Sequence, residues 1–218
     1  MAATLAPYGL RPINLLGGQA YAGSTRLYAI AANYNVTIQY GDPVIIINTG
    51  STPSTGNVRG YLARFNATTT ATTITSTGGG FGFVGVFVGC SYTDPVYGKV
   101  FRQNYISGNT ATDIQAYVVD DPDALFQIQA DDTLTQTTLG CNASLIQTVA
   151  GSSGVNINSG VALDASSVAT AATLPVRIVD FVNSTTSTIG DAYTDVLVRI
   201  NTHFHRTGNT GSAGTAVS

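Results

Sequence analysis

Glutamate is absent from this chain of 218 residues, and lysine occurs once, at Lys99. All twelve acids are therefore Asp, and eight of the nine basic residues are Arg. Glu and Lys are good helix formers, so their absence weakens any helical reading. Charge is scarce altogether, at 10% of residues against roughly a quarter in an ordinary soluble domain. So bare a surface has little to keep it solvated and self-repelling. Either Ser, Thr and Asn solvate it or neighbouring subunits cover it, and the two are compatible.

Other absences narrow the function. There is no basic run, the net charge is −3 and the pI about 5.0, so no nucleic-acid partner is expected. No stretch approaches the ~20 apolar residues of a membrane helix, and no membrane partner is expected. The N-terminus lacks a basic segment followed by a long apolar core, so no export signal is read there. Cys90 and Cys141 are then expected to be reduced, buried thiols. No G-x-S-x-G elbow exists, and the only histidines, His203 and His205, lie near the C-terminus. No nucleophilic enzyme is expected, hence no catalytic residue and no cofactor. A paired-carboxylate hydrolase stays open, because twelve Asp always allow some pair.

What the chain has instead is Thr, Val, Ile and Tyr, punctuated by 24 Gly. That composition favours strands and turns. The densest apolar run begins at Phe81. Phe83, Val84, Val86, Phe87, Val88 and Cys90 leave neither face polar, which predicts a strand covered on both sides. Thr93, Asp94, Pro95 and Gly98 then turn the chain into a second strand over Val100–Tyr105. Leu125–Ala130 and Asp195–Phe204 alternate as half-buried strands. Further strands are expected over 26–30, 36–40, 44–48, 58–66, 113–119 and 174–182. Thr133–Val149 is the best helix candidate, though Gly140 interrupts it, and Ala162–Thr173 is read as a short helix or irregular segment. The Thr-rich residues 68–80 are read as a solvated strand or loop.

The expected fold is thus all-β: a compact β-barrel or β-sandwich of about ten to twelve short strands, with at most one or two short helices. Residues 1–14 form an extended N-terminal arm, because Pro7 and Pro12 exclude a helix or a central strand. Residues 15–206 form the β-rich domain, with any internal boundary near 151–160. Residues 207–218 are expected to be a flexible tail. The arm either folds over its own domain or reaches a neighbouring subunit.

Three constellations invite a chemical reading. Gly80, Gly82 and Gly85 spell G-x-G-x-x-G, but a phosphate site needs a helix after the glycines and none is expected. His203 and His205, spaced i, i+2, would share one face of a strand as a metal pair would. With no acid or Cys adjoining them in sequence, a polar strand edge is the simpler reading, and no metal is expected. Asp120, Asp121, Asp123, Asp131 and Asp132 could be weighed for calcium, but Asp also favours turns through its own side-chain hydrogen bonds.

Several spellings recur in a known family. They are Gly9-Leu10-Arg11-Pro12; then Gly18, Tyr21, Gly23, Thr25, Arg26 and Tyr28; and then Tyr40-Gly41-Asp42-Pro43-Val44. They continue through residues 85–95, 120–131 and the segments LPVRIVDF and DVLVRIN. In these the chain resembles tailed-bacteriophage head proteins over most of its length up to about residue 202. The resemblance implies a capsid decoration, or cement, protein on the outer surface of an icosahedral head, assembled in the host cytoplasm. It implies the major capsid protein as partner and a homotrimer as the assembly. On that expectation the capsid or subunit contacts come from Pro7, Tyr8, Leu10, Arg11 and Pro12 in the arm, with Arg26 and Tyr28 as weaker candidates. Arg11, the arm's only charge, could take a carboxylate bidentately or cap the arm's own domain. The rival readings are another virion subunit (major capsid, tail tube or fibre) or a carbohydrate-binding β-module on the particle.

Overall fold

The computed structural model describes residues 4–47, 61–65, 80–147, 157–182, 184 and 187–206. Within them lie twelve strands and one 3-10 turn. The chain is all-β, built as two antiparallel six-stranded sheets in a sandwich-like arrangement rather than a closed barrel. The strands are β1 Arg11–Leu15, β2 Arg26–Ala29, β3 Pro43–Ile47, β4 Tyr61–Arg64, β5 Gly80–Asp94, β6 Gly98–Arg102, β7 Gln115–Val119, β8 Ala124–Gln129, β9 Asn142–Gln147, β10 Val161–Ala169, β11 Val176–Phe181 and β12 Asp195–Ile200. The first sheet runs β1-β8-β12-β11-β9-β10. The second runs β2-β7-β5-β3-β4, with β6 paired to β5.

β5 is the spine of the second sheet. It pairs with β3 over its first half, with β6 over its second half, and with β7 along its middle. Its apolar run is covered on both sides, as its composition predicts. Phe83 and Val86 enter the larger core, which lies between the two sheets. Val84, Phe87, Cys90 and Tyr92 enter a smaller core on the other side. That second core is closed by Ile30, Ile38, Tyr105 and Ile114, which come from connecting segments rather than a third sheet.

An unbroken strand would keep odd residues on one side and even residues on the other. Here Val84, Phe87 and Cys90 share a side, so the alternation switches twice. The register accounts for it. Phe83 to Gly85 spans one step of β3, and Phe87 to Gly89 spans one step of β7. Each extra residue is a bulge that flips the faces beyond it. The glycines sit at these bulges because nothing larger fits. A Cβ on Gly85 would fall on the Val119 carbonyl, and one on Gly89 would stand 2.6 Å from the Phe101 ring. The Gly/Phe spelling is therefore a packing device, and no helix follows it.

The structure corrects three expectations of secondary structure. Residues 36–40 form no strand, only isolated bridges at Ile38 and Tyr40. Thr133–Val149 is not a helix: it contains a 3-10 turn at Gln136–Thr138 and then β9. Ala162–Thr173 holds most of β10 rather than a helix. β9 and β10 pair directly, so the segment near 151–160 joins neighbouring strands of one sheet. From Arg11 on, the extended N-terminal segment continues as β1, which pairs with β8. Pro12 is tolerated there because β1 is an edge strand. The readings of residues 68–79 and of the 207–218 tail lie outside the described residues.

Candidate interaction face

Two of the recurring spellings fold against each other. Gly9 has φ +74° and Gly41 φ +90°, a left-handed backbone that glycine adopts without strain. Their backbones also touch. A Cβ on Gly9 would stand 2.6 Å from the Gly41 carbonyl oxygen, and one on Gly41 2.8 Å from that of Tyr8. The Leu10 N–H donates to the Gly41 carbonyl at 2.9 Å, and the Gly9 N–H to Val161 at 3.2 Å.

Beneath this contact lies Asp42, which is wholly buried. Its Oδ2 accepts the Gln39 N–H at 2.8 Å and faces Arg64 Nε at 3.0 Å, while its Oδ1 accepts the Ser159 hydroxyl at 2.5 Å. Arg64 reaches on to the Gln147 side-chain carbonyl. Burial pushes the Asp42 pKa up, against Arg64, the Gln39 N–H and Ser159, which hold it down. A buried carboxylate is tolerable only when paired and hydrogen-bonded in this way.

From this joint the arm crosses the outer side of the first sheet. The Ala6 N–H donates to Gln129 Oε1 at 2.8 Å, and Gln129 Nε2 donates to the Thr4 carbonyl at 3.2 Å. The Tyr8 hydroxyl donates to Asp195 Oδ1 at 2.9 Å, and Gln127 Nε2 reaches Asp195 Oδ2 at 3.5 Å. Burial, then the Asp195 charge, pushes the Tyr8 phenol up. Burial likewise raises Asp195, against its bonds from Tyr8 and Gln127 and the charge of Arg11. The Arg11 guanidinium lies over the Tyr8 ring, 4.7 Å from its centroid, a cation–π contact.

The five arm residues therefore have different fates. Leu10 is fully buried in the larger core, which corrects its assignment as a contact residue: its side chain holds the arm to its own domain. Pro7, Tyr8 and Pro12 are half-buried. Arg11 is exposed and makes no ion pair among the described residues.

The weaker candidates, Arg26 and Tyr28, meet elsewhere. Both lie on β2 and converge on Asp120 Oδ2, with Tyr28 OH at 2.9 Å and Arg26 Nε at 3.0 Å. His205 Nε2 stands 3.4 Å from the same oxygen. Burial, then Asp120, pushes the Tyr28 phenol up.

The two histidines do not share a strand face, because β12 ends at Ile200. His203 is wholly buried and its Nδ1 accepts the His205 N–H at 3.1 Å, whereas His205 is exposed. Burial, then the His205 charge, lowers the His203 pKa to about 4. Among the described residues, no three His, Cys or Asp side chains could hold a metal together. The Asp-rich turns bond their own backbones: Asp121 to the Asp123 N–H, and Asp132 to the Thr133 N–H.

Three features had no counterpart in the sequence reading. The β5–β6 turn carries Val96 and Tyr97, 79% and 78% exposed. Beside it a cavity of about 530 Å³ is lined by residues that include Tyr92, Asp94, Ile106 and Asn109. Phe101 crosses over Gly89 to meet Tyr117, with ring centroids 5.5 Å apart. No protein family, curated protein or solved structure matches the chain.

Proposed function

We propose that the chain is a non-enzymatic structural protein of a virus particle, a capsid decoration protein. In this reading it binds the outside of an icosahedral phage head as a homotrimer and bridges adjacent capsomers of the major capsid protein. The observation that carries the reading is the joint of Gly9-Leu10-Arg11-Pro12 with Tyr40-Gly41-Asp42-Pro43-Val44, made by the buried Gly9 and Leu10 against Gly41. These are the spellings on which the resemblance to phage head proteins rests. They form one structural unit, held by backbone contacts that only glycine permits at two places. A chance likeness of scattered short words would have no reason to converge.

The docking side is then the outer side of the first sheet. There the arm runs over Gln129 and Asp195 and presents Arg11 at the edge. The arm is already ordered on its own domain, so docking through it costs less conformational entropy than recruiting a loose segment. Cementing needs only mass action. A protein that binds the assembled lattice and not the separated subunits shifts the equilibrium toward assembly.

The test is to add purified protein to undecorated heads and challenge them with heat or low salt. Decorated heads should survive conditions that open bare ones. Unchanged resistance at saturating protein would refute the cement role.

A second reading, a carbohydrate-binding module on the particle, is favoured by exposed Tyr97 beside the open cavity. A glycan array decides it. Binding that is lost in Tyr97→Ala would support it, and an array without hits would remove it.

A further inference from the structure

Two V-R-I triplets, Val176-Arg177-Ile178 and Val198-Arg199-Ile200, pair antiparallel in the first sheet. Val176 faces Ile200, Ile178 faces Val198, and Arg177 faces Arg199. The four aliphatic side chains enter the larger core, so both arginines stand on the outer side. Like charges directly opposite on a sheet repel. A direct ion pair with an acid would normally relieve this, and neither arginine has one among the described residues.

It has no Glu, and all twelve Asp lie among the described residues. None comes within 4.0 Å of Arg177 or Arg199: the ion pairs are Arg26–Asp120, Arg64–Asp42, His205–Asp120 and Arg206–Asp123. Arg177 is exposed, and its Nε donates to the neutral Asn142 Oδ1 at 3.2 Å. That same oxygen is fixed by Asn201 Nδ2 at 2.9 Å. One edge of the Arg177 fork is thus oriented while its outer nitrogens stay free for a ligand. Arg199 Nε is buried without a hydrogen-bond partner among the described residues. Arg206 stands nearby, its own charge paired with Asp123 at 2.8 Å. Burial, then the charges of Arg206 and Arg177, pushes the Arg199 pKa down, against Asp123, which holds it up.

We propose that Arg177 and Arg199, with Arg206 at their margin, form a preorganised site for the side-chain carboxylates of an acidic peptide segment on a partner protein. Charge complementarity selects this occupant. The patch is small, and Asp123, Asp180 and Asp195 lie around it, so a continuous polyanion such as a nucleic acid would be repelled at its edges. Arg199 also faces Leu125 across the ladder, and Leu197 stands one step along the same side. A short segment with carboxylates among apolar side chains fits this surface. Planar guanidinium forks hold carboxylates bidentately. The site lies on the same side of the sheet as the arm. Its assignment to a capsid partner rests on the proposed function, but the site itself does not.

The experiment uses the full chain and a fluorescent hexapeptide alternating Glu with Leu, followed by anisotropy from about 20 mM to about 300 mM salt. Wild type should bind, and Arg177→Gln/Arg199→Gln should bind about tenfold more weakly or not at all, with a shallower salt dependence. Arg102→Gln, which removes an exposed arginine from β6, should bind like wild type. The paired variant should melt no lower than wild type, because it relieves repulsion. Equal peptide binding by wild type and the paired variant would overturn the site. So would a single-stranded oligonucleotide that displaces the peptide better than free glutamate peptide does. A marked fall in melting temperature would overturn it too, by exposing a structural partner for the arginines. If the paired variant loses the peptide but decorates heads normally, the site stands and its capsid role fails.

Discussion

Replacing Leu10 with Ala asks whether the arm belongs to its own domain. Leu10 is fully buried in the core between the sheets, among residues such as Phe126 and Val161. Truncating a buried Leu loses the transfer free energy of its removed atoms and leaves a cavity, typically about 3–5 kcal/mol together. Phe126 lies on β8, which is paired on both sides, so relaxation is limited and the upper half of that range is expected. A domain of this size loses about 2–4 °C per kcal/mol, which gives a fall of roughly 10 °C. The assay is urea unfolding followed by circular dichroism, with unchanged steepness expected, since the surface exposed on unfolding is nearly the same. Arg11→Ala is the control. It removes an exposed side chain that stacks on Tyr8, and its cost should stay within about 1 kcal/mol. A Leu10→Ala penalty below about 1 kcal/mol would refute the packing argument.

Asp42→Ala should cost about 3–5 kcal/mol, because it strands the buried Arg64 without its carboxylate; a loss under about 1 kcal/mol in the same unfolding assay would contradict the pairing. Gly41→Ala should destabilise by more than the usual surface change, since it both strains a left-handed backbone and meets the Tyr8 carbonyl; a neutral outcome would mean that the joint can open. Acidification supplies another test. His203 is held neutral, with a folded-state pKa of about 4. The unfolded chain therefore binds the extra proton first, and stability is complete above about pH 6.5 and falls as the pH drops toward 4, by up to ~3 kcal/mol. In His203→Gln that portion of the pH dependence should vanish, and an unaltered stability–pH curve would show that His203 is not its source.

Strands whose one face is buried were legible. In β12, Val196, Val198 and Ile200 are buried while Asp195, Leu197 and Arg199 are half-buried, and the letters alternate accordingly. β5 was legible as a doubly covered strand, but not its three register shifts, because a bulge is fixed by what the neighbouring strand places opposite it. β10 was misread because Ala162, Ala165, Ser166 and Ser167 carry little strand preference of their own. Pairing with β9 and burial of Val161 and Leu163 decide its conformation. The helix expected over Thr133–Val149 failed for a related reason, since Ala143 and Leu145 alternate into the core on a strand paired on both sides.

The interaction face was half legible. Two prolines marked the arm, but not that Leu10 would be consumed by the core and Arg11 left outside. The segments LPVRIVDF and DVLVRIN were visible as words. That the two arginines stand opposite each other is a matter of register between distant strands, which no local pattern records.

The central claim is that the outer side of the first sheet, with the arm and its arginines, faces a viral shell. Electron-microscopy reconstruction of heads decorated with the purified protein tests it directly. The account predicts trimeric density on the outer surface, with β1, β8, β12 and β11 turned toward the shell and Arg177 and Arg199 beside carboxylates of the capsid protein. Density in which that side faces solvent, or heads that take up no protein, would contradict it.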